Sequence, residues 1–204
     1  DMTSYPKSTP LRDEAYRWSE GKITRAIATQ TLAKKCVVLV DRCNWTGHEC
    51  DVLAVTTDLR IIDVEVKISR SDLRADAKKD KWWIRRVTGY AEKPYKWGGV
   101  TREPVYSETC REWPPKVWKH YFAFPRELWD DRLFEALPSP RSGVLLVREQ
   151  RGNSTPIAVE CVRRATPNKD ATRLQPAHVM DIARLANLRM WDAYQRGQQL
   201  EVPA

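Results

Sequence analysis

Residues 51–69 read DVLAVTTDLRIIDVEVKIS, and the fold turns on how they pair. Side chains alternate faces along an extended strand, so Ile61, Asp63, Glu65 and Lys67 share one side while Ile62, Val64, Val66 and Ile68 share the other. The second set is core. The first sets two carboxylates and an ammonium on an otherwise apolar strand, which is costly unless the charges are paired, solvated or bound to a metal. With Thr57, Asp58 and Leu59 as a three-residue loop, Thr56 pairs with Arg60, and counting back brings Asp51 opposite Glu65. Opposed strand residues hold their Cβ atoms about 4.5–5.5 Å apart, so both carboxylates reach one cation. Hard divalent ions such as Mg2+ take one or two carboxylates plus water and substrate phosphate. Lys67, one pleat further on, would reach the water or the attacked phosphate. Such a site activates water and shields phosphate charge.

Outward from this stretch, Leu11, Ala15, Trp18, Ile23, Ala26 and Ile27 recur at helical spacing and predict helix within residues 1–35. Cys36–Val40, 49–56 and 60–68 read as the strands of a small antiparallel meander. Ser69 or Ser71 caps a helix running to Lys81, with Asp72 in its first turn where the dipole favours an acid. Pattern then dissolves over 82–117 among Gly89, Pro94, Gly98, Gly99, Pro104, Pro114 and Pro115, which reads as a long irregular insertion. Strands return at 118–124, 143–149 and 157–164, a short helix at 127–136, and an amphipathic helix at 179–194 closes the chain. The order describes one mixed α/β domain over 1–204.

The 204 residues are 42% hydrophobic and 30% charged, which supports a buried core and excludes the disordered and fibrous classes. The longest uninterrupted apolar run is Cys36–Val40. A membrane span needs about 20 such residues, so a soluble cytoplasmic protein is expected. Five cysteines without framework spacing predict free thiols. Lys and Arg outnumber Asp and Glu by 35 to 27, a net +8 that attracts polyanions such as nucleic acid. Neither a Gly-rich phosphate loop, nor a Gly-x-Ser-x-Gly elbow, nor a kinase motif set is present.

Asp51, a gap of 13 residues and then Glu65-Val66-Lys67 resembles the PD-(D/E)XK nuclease signature. The stretch VEVKISRSDLRADAKK looks like the MmcB-like branch of that superfamily, where a Glu-x-Lys strand runs into Ser-Arg-x-Asp and a helix bearing Asp and Lys. Those positions are Ser69, Arg70, Asp72, Asp76 and Lys78 here, and HYFAFPRELW with GVLLV is similar to that branch's closing strands. The resemblance covers Ser19 to Arg164 apart from the insertion. It implies a restriction-endonuclease-like mixed β-sheet flanked by helices, and DNA hydrolysis in repair or processing with Mg2+ or Mn2+. Asp51 and Glu65 would bind the metal with the Val66 carbonyl, Lys67 would assist the water, and Glu20 would add an acid from the first helix. DNA is the implied partner, with RNA as an alternative substrate. The rival class is a non-catalytic DNA-binding or recruitment protein that keeps the fold.

Around this centre, Arg70, Arg74, Lys78, Lys79 and Lys81 are candidates for gripping phosphates, although alternation with Asp72, Asp76 and Asp80 also suits an ordinary charged helix face. Six of the nine tryptophans, Trp82 among them, fall within or beside the insertion. Rings interleaved with cations suit unpaired bases, while a satellite core under a long loop would use the same rings. Cys43, His48 and Cys50 offer three zinc-type ligands. With no fourth ligand nearby, the thiols read as small buried hydrophobes and His48 as a surface residue in a turn.

Overall fold

Ser19 opens helix α1 (Glu20–Ile27) by accepting a hydrogen bond from the Lys22 N–H, with Glu20 in the first turn against the positive end of the dipole. The computed structural model describes residues 18–150 and 156–200, so the expected helical positions Leu11 and Ala15 lie outside the described residues. Ile23, Ala26 and Ile27 bury one face of α1, and a wide turn over Ala28–Leu32 ends it. Strands β1 (Cys36–Cys43), β2 (Cys50–Thr56) and β3 (Ile61–Val66) then form the expected antiparallel meander. The Thr56 N–H donates to the Arg60 carbonyl at 2.9 Å, which closes the three-residue loop. Val52 faces Val64 and Leu53 faces Asp63, a register that carries Asp51 to Glu65.

Ser69 caps α2 (Arg70–Asp76) by accepting from the Asp72 N–H. The helix expected to reach Lys81 stops at Asp76, and a separate 3-10 turn spans Asp80–Trp82. The insertion is a correction: residues expected to be irregular form a long two-stranded ribbon of β4 (Trp83–Pro94) and β5 (Val100–Cys110). Gly98 and Gly99 take positive φ at its tip, where the Tyr95 N–H donates to the Gly99 carbonyl. Two reasons hid it. A ribbon exposed on both faces carries no apolar alternation, and its open edges tolerate a proline such as Pro104.

β6 (Lys119–Pro125) follows, then two 3-10 turns (Arg126–Leu128 and Asp131–Phe134) in place of the helix expected at 127–136. β7 (Gly143–Glu149), β8 (Ile157–Arg163) and α3 (Pro176–Leu200) complete the chain. The six-stranded sheet runs β1-β2-β3-β6-β7-β8, parallel at β3-β6 and β6-β7 and antiparallel elsewhere, so the architecture is mixed α/β with flanking helices. Among the described residues no helix is long and apolar enough to cross a membrane.

One sheet face packs Val52, Ala54, Val64 and Val66 against Ile23 and Ile27 of α1. The other carries two apolar clusters. Leu53, Val55 and Ile61 meet Ile182 of α3, while Phe122, Phe124 and Leu146 meet Leu73 of α2 and Trp82. In sheet order, Asp63 and Glu65 of β3 fall between those two clusters.

A buried acid and lysine cluster as candidate active site

β3 delivers its charges at the end where the chain leaves for α2, and β2 starts beside it, so pairing alone brings Asp51 to Glu65. Asp51 Oδ2 accepts the Val66 N–H at 2.7 Å. That is the one hydrogen bond to the Asp51 carboxylate among the described residues. Burial, then the charge of Glu65, pushes the Asp51 carboxyl up to about 6 against the pull of the Val66 N–H and Lys67. The Val66 N–H is thus committed to Asp51, a bond that leaves the Val66 carbonyl, expected as a further metal ligand, untouched.

Glu65 is buried, and ammonium groups hold both of its oxygens. Lys67 Nζ donates to Oε2 at 3.0 Å and Lys81 Nζ to Oε1 at 2.5 Å. Asp76 of α2 completes the cluster. Its Oδ1 accepts from Lys67 at 3.1 Å and pairs with Lys79 at 2.7 Å, and its Oδ2 accepts from the Trp82 indole at 3.1 Å. Burial alone would raise the Asp76 carboxyl, but Lys81 and Lys67 outweigh it and hold the group well below the carboxylate range. Burial alone would likewise discharge Lys67 and Lys81, yet the carboxylates keep both firmly protonated. Buried charges persist because each has partners at hydrogen-bond distance.

One pleat back on β3 lies a second polar group. Asp63 Oδ2 is 3.0 Å from His48 Nε2 and 3.9 Å from His120 Nε2 of β6, and Cys50 Sγ is 3.7 Å from His48 Nε2. Burial drives the His120 imidazole down to about 3, so it is neutral. Cys43 stays in the apolar cluster with Val40 and Leu53 and takes no part. His48, expected at the surface of a turn, leans inward onto Asp63, with 11% of its side chain exposed.

The phosphate-gripping expectation divides. Arg70, Arg74 and Lys78 are exposed, Arg70 Nε donating to the Leu128 carbonyl at 3.0 Å. Lys79 is half exposed but paired with Asp76. Lys81 and Trp82 are corrections: both are buried, Lys81 on Glu65 and Trp82 in the core beside Phe122, because the 3-10 turn after α2 swings them under the helix. Glu20 is exposed at the start of α1, and its charge is felt at Asp51. Of the six tryptophans within or beside the insertion, Trp82 and Trp129 are buried in the core and Trp83, Trp113 and Trp118 are partly buried, as a satellite core would have them, while Trp97 is 82% exposed and stands on the ribbon with exposed Tyr90, Tyr95 and Tyr106.

Sequence reasoning missed the roles of Asp76, Lys81 and His120 in these clusters. A spacing of nine between Lys67 and Asp76 carries no helix or strand period, and His120 arrives only through the parallel pairing of Asp63 with β6. The available signal was the cost of a charge on an apolar strand, which demands a partner without naming it.

No protein-family model matches the sequence, and no curated protein matches it. Among solved structures, the chain is similar to a protein of unknown function from Silicibacter pomeroyi, with a TM-score of 0.50 and 18% identity over 91% of this chain and 94% of that one. At that identity the likeness bears on the fold alone, and the fold the two chains share is the mixed α/β sheet described above.

Proposed function

We propose that the chain is a metal-dependent nuclease of the PD-(D/E)XK type, with a restriction-endonuclease-like sheet, that hydrolyses DNA phosphodiesters in repair or processing. The observation that carries this reading is Asp51 opposite Glu65 where β3 ends, with the Lys67 ammonium 3.0 Å from Glu65. Ligands of open α/β sheets gather beyond the carboxyl ends of strands, and this is such a place.

The donor set fits a hard cation, since Asp51 accepts a single hydrogen bond and the acid opposite it, Glu65, is a second carboxylate. Glu65 would join by releasing one ammonium. Mg2+ or Mn2+, when bound, supplies the charge that acidifies water and shields phosphate. Lys67 stays protonated, so it steadies negative charge on the phosphate and does not take a proton from water. Lys81 and Asp76 hold Glu65 and Lys67 in place from beneath α2.

Substrate contact falls to the ribbon, which is about 40 Å long at the usual strand rise and rooted beside Lys81. Its exposed Tyr90, Tyr95, Trp97 and Tyr106 are interspersed with Arg85, Arg86, Lys93, Lys96 and Arg102. Rings stack on unpaired bases and cations neutralise phosphates, which favours DNA with single-stranded character.

A second reading has its own observation: both Glu65 oxygens are already satisfied, so the cluster stands as a closed ion network in a non-catalytic DNA-binding protein. The deciding experiment incubates labelled single- and double-stranded DNA, with RNA in parallel, with the protein and Mg2+ or Mn2+. The nuclease reading expects degradation that Asp51→Asn and Glu65→Gln abolish while circular dichroism stays native. Binding without cleavage under either ion hands the site to the second reading, and preferential cleavage of RNA reassigns the substrate.

A further inference from the structure

We propose that His48, Cys50 and Asp63, joined by His120, form a zinc site that borders the Asp51–Glu65 pair, Glu65 lying within 4.8 Å of the Asp63 and His120 donors, and that does not depend on the nuclease reading. The four residues come from the β1–β2 loop, β2, β3 and β6. Donor atoms of His48, Cys50 and Asp63 all lie within 4.8 Å of one another. Tetrahedral zinc, with Zn–N near 2.0 Å and Zn–S near 2.3 Å, spaces its ligand atoms about 3.3–3.7 Å apart. Here His48 Nε2 is 3.0 Å from Asp63 Oδ2 and 3.7 Å from Cys50 Sγ, so small shifts admit the ion.

The metal-free arrangement is incomplete. Asp63 is fully buried, yet it accepts one hydrogen bond, from His48, and its Oδ1 has no partner. Such a carboxylate is costly to bury without a cation in contact with it, and the Lys81 ammonium, whose charge Asp63 feels, donates its hydrogen bond to Glu65 instead. His120 Nε2 is fully buried and also without a partner, and its 3.9 Å from Asp63 Oδ2 is too long for a hydrogen bond. It faces that carboxylate from β6 and groups with Asp63 and Glu65 and not with His48 and Cys50, so a rotation of side chains onto the ion is needed to bring it in as the fourth ligand.

Outer contacts support the assignment. His120 Nδ1 is 2.9 Å from the Ser142 hydroxyl, the kind of contact that orients a ligating imidazole, and Thr46 Oγ1 is 3.5 Å from Cys50 Sγ. A pocket lined by Thr46, Gly47, His48, Glu49, Lys79 and Asp80 reaches the site at His48. The donor set of two imidazoles, a thiolate and a carboxylate selects zinc over Mg2+. Zn2+ with one thiolate and one carboxylate is neutral overall, which suits a buried site. On binding, the Cys50 thiol passes its proton to solvent, so affinity falls as pH falls.

The test measures metal on the full chain after zinc loading and gel filtration. One zinc per chain is expected, retained in Asp51→Asn and weakened about 10-fold or more in Cys50→Ser and His120→Ala. Cobalt-loaded wild-type protein should show thiolate-to-cobalt charge-transfer absorption, a readout that needs no variant to fold. A folded wild-type chain that retains no zinc overturns the proposal. So does zinc lost in Asp51→Asn but kept in Cys50→Ser, or cobalt bound without a thiolate band.

Discussion

The end of β3 and the β4–β5 ribbon are both crowded with lysine, arginine, acids and tryptophan, yet they use them in opposite ways. At β3, Lys67 and Lys81 are buried and each donates to Glu65. On the ribbon, Arg85 with Glu108 and Lys93 with Glu103 pair across the strands in water, and Trp97 projects into solvent. Burial makes the difference. A charge removed from water must find a partner and becomes part of the architecture, whereas a solvated pair adds little to stability and stays free to meet a ligand.

The strongest way to break this contrast is Glu65→Ala, which leaves two buried ammoniums, Lys67 and Lys81, to share Asp76 as their remaining carboxylate. It should cost about 3–5 kcal/mol in urea unfolding; a loss near zero would mean that the cluster is wetter than its geometry. Next, Trp97→Ala should weaken binding to single-stranded DNA by about 1–3 kcal/mol in fluorescence anisotropy, with no shift in melting temperature. A shifted melting temperature instead would make that ring structural.

Asp51→Asn sharpens the comparison in the other direction. The folded carboxyl titrates near 6 against an ordinary 3.8, so its ionisation opposes folding as pH rises through that window and costs most above it. The amide escapes that cost while keeping an oxygen for the Val66 N–H. The variant should therefore be more stable than wild type by about 1–2 kcal/mol at pH 7, after discounting for partial exposure, and the difference should vanish below about pH 4. Equal stability at both pH values would remove the strain assigned to the acid pair. The smallest effect is expected for Arg85→Ala on the ribbon, whose melting temperature should match wild type.

Much of the sheet was legible because its rules are local. The two-residue period separated Val64 and Val66 from Asp63 and Glu65, and the loop at Thr57–Leu59 set the register between β2 and β3. The ribbon was not legible, since a structure with no buried face writes no alternation into its sequence. Lys81 and Trp82 misled for a related reason. Their composition matches a phosphate grip, and only the 3-10 turn after α2 places them inside.

By itself, the sequence determined that Asp51, Glu65 and Lys67 occupy one face at neighbouring strand ends, because strand periodicity and a short loop leave no other placement. The tertiary structure alone decided what those charges meet. The crossover through α2 brought Asp76 and Lys81 under β3, and the parallel pairing with β6 set His120 beside Asp63. Periodicity encodes which way a side chain points, and packing of distant segments decides what stands opposite it.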